Sequence, residues 1–271
     1  MTLIAIILAT LAAGIGSVWL AALLMRLGLG GRADSVGPQH LLSLAAGALL
    51  ATAFMHLLPE AFESQAGAHD LFATLLIGVV FFFLLDKAEL WHHGHEHSHA
   101  APEQIPHGHA EHDHGHHHHA PRAGGWAVLT GDSVHCFGDG ILIASAFMAD
   151  MRLGMIAAVS VLAHEVPHHM GDLVVLRQAS PNRRMALVKV SLAGAVTALG
   201  GIVGYYLVGQ LQDLLPYFLA VASSSFVYVA LADLIPQLQK RLSARETVAQ
   251  IAWLIAGMVV VTLVSGAAHA H

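Results

Sequence analysis

Eight stretches of roughly twenty apolar residues follow one another along the chain, at about 2–25, 39–59, 70–88, 125–149, 153–177, 185–209, 213–237 and 247–268. As a helix rising about 1.5 Å per residue, each is long enough to cross a hydrocarbon layer of about 30 Å. Gly and Ala recur within the runs, which lets helix backbones approach closely in lipid. The chain is 56% hydrophobic and only 11% charged, against about 25% charged residues in soluble domains, which excludes a water-soluble globule. The expected fold class is an all-α integral membrane protein, an eight-transmembrane-helix bundle. No Lys or Arg precedes the first run, and Arg26 follows only after its whole apolar length, so it reads as a permanent span and not a cleaved signal peptide.

The cationic residues predict an orientation. Assigned to alternating loops, Arg26, Arg32, Lys87, Arg122, Arg177, Arg183, Arg184, Lys189, Lys240, Arg241 and Arg245 fall on one side of the membrane and Arg152 alone on the other. Because cytoplasmic loops carry the excess of Lys and Arg, an even number of spans with this bias places both termini outside the cytoplasm. One missed or invented span would scramble the alternation. Cys136 is the single cysteine, so no intramolecular disulfide framework exists.

Ionisable residues are concentrated in the fourth and fifth runs. "TGDSVHCFGDGILIASAF" carries Asp132, His135 and Asp139, and "LAHEVPHHMGDLVVL" carries His164, Glu165, His168, His169 and Asp172. Acids near the middle of a membrane cost about 2.5–3.5 kcal/mol each on insertion scales, or roughly 8–10 for Asp139, Glu165 and Asp172 together, unless something neutralises them. A divalent cation would, and imidazole with carboxylate is an ordinary zinc ligand set. His135 with Asp139, and His164 with His168, are i,i+4 pairs on one helix face. Two facing helices would then present four ligands to one ion, with Glu165 able to reach it or a second ion. Pro167 frees the carbonyl of Ala163 and bends the helix where an ion would pass. Polar packing without metal is the alternative reading, and for the Cys136 thiol packing is the commoner role.

Residues 91–119 hold 13 of the 22 histidines among Pro and Gly. They cannot build a core and read as a disordered loop on the cytoplasmic side, a low-specificity metal trap or else a plain linker. The chain therefore divides into spans 1–3 (1–90), the histidine-rich loop (91–124), spans 4–5 with the metal site (125–178) and spans 6–8 (179–271).

"HCFGDGILIASAF" and "HEVPHHMGD" resemble the paired signatures of the ZIP (Zrt/Irt-like) metal transporters, especially the LIV-1-like branch, whose fifth span typically reads HExPHExGD. "HLLPEAF" in the second run and "FVYVALADLIPQL" in the seventh are similar to the same family. The resemblance implies a 3+2+3 arrangement, and the shared polar-Leu-apolar-Pro pattern of "MHLLPEAF" and "ADLIPQLQ" fits an inverted repeat of spans 1–3 against 6–8. It also implies a transport site from His135, Asp139, His164, Glu165 and His168. Cys136, His169 and Thr197 stand where binuclear members often have Asn, Glu and Glu, so one main site is expected, with Cys136, His169, Asp172 and His56 as secondary ligands. His56, Glu60, Glu63 and Asp70 could draw cations to the outer entrance.

The implied function is movement of Zn2+ across the membrane into the cytoplasm, with Fe2+, Mn2+ or Cd2+ as alternative cargo. The expected setting is the plasma (inner) membrane. Beyond the metal ion and the bilayer, a homodimer is the partner to test, and no nucleic acid is expected. HExxH also suits an intramembrane zinc protease, with Glu165 activating water. A second His/Asp pair crowding the metal disfavours it, because a catalytic zinc keeps a position open, and no enzymatic activity is expected. A cation-diffusion exporter would normally have six spans and a soluble metal-binding tail.

Overall fold

The computed structural model describes residues 1–28, 36–94, 124–179, 183–239 and 243–267. Among these there are eight helical segments and no strand. They are α1 (Thr2–Arg26), α2 (residues 36–62), α3 (Ala68–Gly94), α4 (Gly124–Ala149), α5 (Met151–Ala179), α6 (Arg183–Gln210), α7 (residues 215–238) and α8 (Ala244–Ala267). Each expected apolar run coincides with one of them. α3 continues through Gly94, four residues into the stretch expected to be loop. Most of the histidine-rich tract lies outside the described residues.

Six of the eight, α1, α2, α3, α6, α7 and α8, contain segments long and apolar enough to cross a membrane. The other two, α4 and α5, fall short although they are 26 and 29 residues long. The cause is the set of ionisable residues they carry.

The radial distribution of side chains is that of a protein in lipid. Large apolar groups such as Leu8, Trp19, Ile77, Phe81, Leu192, Val248 and Leu263 face outward, while Ala, Ser and Thr fill much of the interior. Apolar groups gain little by leaving lipid, so helices associate through close packing of small residues and through polar contacts. Buried hydroxyls return their hydrogens to their own helices, as Thr10 does to the Ile6 carbonyl at 2.7 Å and Ser223 to that of Leu219 at 2.9 Å. α4 packs chiefly on α6 and α5, α2 on α8, α3 on α7, and α1 on α5 and α6. Gly140 lets α4 and α6 meet, since a Cβ there would strike the Thr197 carbonyl and the Gly201 amide.

Three helices contain π turns: Ala12–Gly16 in α1, Ala53–Leu57 in α2 and Val229–Leu234 in α7. The last two each run directly into a short helical turn with proline as its second residue, Pro59 and Pro236. Proline offers no N–H to the carbonyl four residues back and its ring crowds that carbonyl; widening the preceding turn relieves the clash. The two similar sequence patterns thus share one local structure.

Candidate metal centre

α4 presents Asp132, His135, Cys136 and Asp139 at spacings of three and four residues, and α5 presents His164, Glu165, His168, His169 and Asp172. Each set falls on one side of its helix. At about 1.5 Å per residue, His135 lies about 17 Å along a helix of about 39 Å, so the stripe occupies the middle of the bundle.

The two stripes meet in three groups. The first joins His135, Asp139, His164 and Glu165, each offering one ligand atom. Asp139 Oδ2 is 3.1 Å from His164 Nε2. His135 Nε2 lies 3.3 Å from Glu165 Oε1, 3.4 Å from His164 Nε2 and 3.9 Å from Asp139 Oδ2. His164 Nε2 lies 3.4 Å from Glu165 Oε1. Four nitrogen and oxygen ligands placed about 2.0–2.1 Å from a tetrahedral zinc stand about 3.3–3.4 Å from one another. The group has nearly that size already.

The second group, Asp132, Cys136, Glu165 and His169, is buried throughout. His169 Nε2 lies 3.1 Å from Glu165 Oε2 and 3.5 Å from Asp132 Oδ1, and Cys136 Sγ lies 3.6 Å from Asp132 Oδ1. The third is Asp132, His168 and Asp172. Glu165 thus belongs to the first two groups and Asp132 to the last two.

Hydrogen bonds around these groups select histidine tautomers. His164 turns Nδ1 to the Ser160 carbonyl at 3.3 Å; a carbonyl only accepts, so Nδ1 carries the hydrogen and Nε2 keeps its lone pair. The Ser17 hydroxyl donates to the Gly14 carbonyl at 2.6 Å. Having spent its hydrogen, Ser17 accepts from His169 Nδ1 at 2.9 Å, again leaving Nε2 with a lone pair. Ser160 is itself hydrogen-bonded to Thr52 of α2. Such partners orient metal-binding imidazoles.

The consequence is a set of electron pairs pointing at one another. Asp132 Oδ2, Asp139 Oδ2, Glu165 Oε1, His169 Nε2 and Asp172 Oδ2 are buried without a hydrogen-bond partner among the described residues. Leaving a buried charge uncompensated costs on the order of several kcal/mol per ion, so the arrangement demands positive charge between the two helices. A divalent metal ion would supply it, and the ligand atoms of the first group already stand close to the spacing such an ion requires. His135 and His168 are the open members, with side chains 28% and 40% exposed, whereas the Asp139, His164 and Glu165 side chains are at most 3% exposed.

Of the residues expected to share one ion, the structure brings together His135, Asp139, His164 and Glu165, and sets His168 in the third group. The reason is the antiparallel register: moving toward the C-terminus of α5 moves toward the N-terminus of α4. His168 therefore meets Asp132, not Asp139, and its ring stands 5.4 Å from that of His135. Cys136 and His169 fall in the second group and Asp172 in the third. His56, in the π turn of α2, belongs to none of the three. Asp132 was not singled out as a ligand from the sequence, although its position one turn before His135 and Cys136 marks the same face. Thr197 is buried.

A family model described as ZIP zinc transporter matches residues 1–103 and 89–265. The chain is similar to the human zinc transporter ZIP4, with 36% identity over 115 residues, covering 42% of this chain and 18% of that protein. With the zinc transporter foi of Drosophila melanogaster it shares 33% identity over 141 residues, 52% of this chain and 20% of the relative. Against zinc transporter ZIP13 of Pongo abelii identity is 27% over 245 residues, 84% of this chain and 66% of that protein. The matched stretches are thus a minor part of the first two relatives' lengths.

Proposed function

The chain belongs to the ZIP zinc transporter family, and from that premise we propose that it carries Zn2+ across a membrane into the cytoplasm through a site between α4 and α5. His135, Asp139, His164 and Glu165 bind the ion in transit. The observation that carries this reading is the spacing of their four ligand atoms, which lie 3.1 to 3.9 Å apart in the measured pairs, close to the edge of a zinc tetrahedron. The His164 Nε2 lone pair, directed between two carboxylates, supports it independently.

Binding and release need no covalent chemistry. An ion sheds water as the carboxylates and imidazoles replace it, and the helices exchange those ligands for water on the far side. The lysine and arginine distribution supports both termini outside the cytoplasm, and a plasma membrane location fits that orientation. A potential negative inside then favours entry of a divalent ion by about 4.6 kcal/mol per 100 mV, if no other ion is coupled. The paired π turns before Pro59 and Pro236 support a 3+2+3 inverted repeat. Exchanging α1 with α6, α2 with α7, α3 with α8 and α4 with α5 also turns the α2–α8 contact into α7–α3 and the α4–α6 contact into α5–α1, and all four contacts occur.

A hydrolytic role has less support. An HExxH metalloprotease holds one zinc with both histidines of the motif, whereas His164 and His168 lie in different groups. The test is uptake by the full chain in liposomes carrying a trapped zinc dye, with Fe2+, Mn2+ and Cd2+ as competitors. Saturable zinc entry above that of empty vesicles is expected; entry no faster than in empty vesicles would refute the transport reading. Crosslinking in the same vesicles reads whether the working unit is a homodimer.

A further inference from the structure

We propose that the groove between the end of α1 and the start of α6 binds one anionic phospholipid of the cytoplasmic leaflet. Its acyl chain lies against Trp19, Leu20, Leu23 and Leu187, and its phosphate against Arg26 and Arg184. The choice of leaflet rests on the orientation proposed above, whereas the binding itself does not depend on zinc transport.

α1 and α6 run antiparallel with their backbones in contact. A Cβ on Gly14 would strike the Gly194 carbonyl, and one on Gly201 would meet Thr10. The same register brings Ala22 level with Leu187, and Arg26, the last residue of α1, level with the first turn of α6, which begins Arg183-Arg184. Toward this end the two helices line a groove of about 340 Å³, bounded by Trp19, Leu20, Ala22, Leu23, Arg26 and Leu187. Ala22 is buried, while Trp19, Leu20 and Leu23 are 58%, 38% and 51% exposed, so a small residue forms the floor and large ones the rim. Trp19 stands about 200° round α1 from Ser17, whose hydroxyl meets His169 on α5. The groove therefore opens toward lipid, away from the metal-binding residues.

The groove is apolar along its length and cationic at one end, which selects the ligand. Arg26 lines it, and Arg184 precedes Leu187 by three residues, on the same side of α6. Arg177 of α5 reaches the same end, its Nη1 3.8 Å from Met25 Sδ. Neither α1 nor α6 contains an Asp or Glu, so no carboxylate of either helix offsets this charge. Arginine takes two phosphate oxygens at once through its planar fork, and basic pockets between membrane helices on the cytoplasmic side hold anionic headgroups. Trp19 lies about 10 Å from Arg26 along α1, at the depth of acyl chains. A zwitterionic phospholipid brings its own cation to the arginines, whereas an anionic one brings net negative charge to them and an apolar chain to the groove.

Trp19, one of four tryptophans, reports on the groove directly. The full chain in detergent is titrated with phosphatidylglycerol or with phosphatidylcholine, each brominated on the acyl chain, and the fluorescence quenching that Trp19→Phe loses is the groove's own signal. A cation beside an anionic headgroup is worth about fivefold in affinity, so two arginines should give phosphatidylglycerol a preference on the order of 25-fold. Arg26→Gln combined with Arg184→Gln should abolish that preference; both side chains are exposed, so the core is untouched. Arg26→Gln alone, should the double variant fail to fold, should lower it about fivefold. Arg245→Gln, at the exposed start of α8, should leave it unchanged. Equal binding of the two lipids, or a preference that survives loss of both arginines, would overturn the proposal. So would an equal loss in Arg245→Gln, the mark of diffuse surface charge, or displacement of the lipid by inorganic phosphate at the same concentration, the mark of a site for free phosphate. Each outcome is read from binding, so none bears on whether the chain carries zinc.

Discussion

His164 Nε2 on α5 and Asp139 Oδ2 on α4 lie 3.1 Å apart, while the other nitrogen of the same imidazole turns to the Ser160 carbonyl. Fixing the hydrogen on Nδ1 turns two acceptors toward each other across the helix pair. That opposition is stable only with positive charge between them, and most of the expected behaviour follows from it.

Ser17 plays the corresponding part for His169. Ser17→Ala removes the acceptor for Nδ1–H, so the ring can rotate or change tautomer. Loss of such outer partners typically lowers metal affinity about 10–100-fold. Calorimetric zinc titration of Ser17→Ala should show weakened binding at the second group with the first little changed. Wild-type affinity throughout would mean that Ser17 does not set the ring.

Zinc uptake should weaken in acid. The bound state holds the histidines unprotonated, so protons compete with zinc for the same nitrogens and affinity falls as pH falls. Lowering external pH from about 7.5 to about 5.5 should raise the apparent KM more than it lowers the maximal rate. An unchanged KM would show that the imidazoles do not compete for protons at the site.

Close packing beside the site gives a paired prediction. Gly140→Ala drives a methyl group into the α6 backbone, and overpacking of this kind costs about 1–3 kcal/mol. Gly138→Ala, where a Cβ meets nothing within 4 Å, should be neutral or stabilising by up to about 1 kcal/mol through helix propensity. Thermal unfolding in detergent should separate the two variants. Equal unfolding temperatures would show that α4 and α6 are free to move apart.

Eight apolar runs and their polarity were legible because crossing lipid imposes a minimum length and leaves few other solutions, and the family resemblance read from the motifs is borne out. Which ligands share an ion was less legible. The i,i+4 rule finds the face of each helix but says nothing of register between helices, and register is what pairs His164 with Asp139 and carries His168 to Asp132. Ser17, Gly14 and Ser160 leave no signal in sequence, since their role exists only once α1 packs on α5 and α5 closes its own turn. Helix α3 runs on to Gly94 because nothing in "ELWHHG" breaks a helix before the glycine.

Deleting residues 95–119 removes most of the histidine tract and spares helix α3. Uptake should persist with an altered rate or zinc dependence, because the ligands on α4 and α5 remain. Complete loss in a correctly folded protein would place part of the transport machinery in the tract.

The most direct measurement is zinc entry into liposomes by His164→Ala and Asp139→Ala, each compared with wild type at equal protein incorporation. Each removes one of four ligands from the buried group, and flux at subsaturating zinc should fall at least about tenfold, as even outer partners are worth that much. Wild-type flux in both variants would mean that the ion does not pass between these two helices.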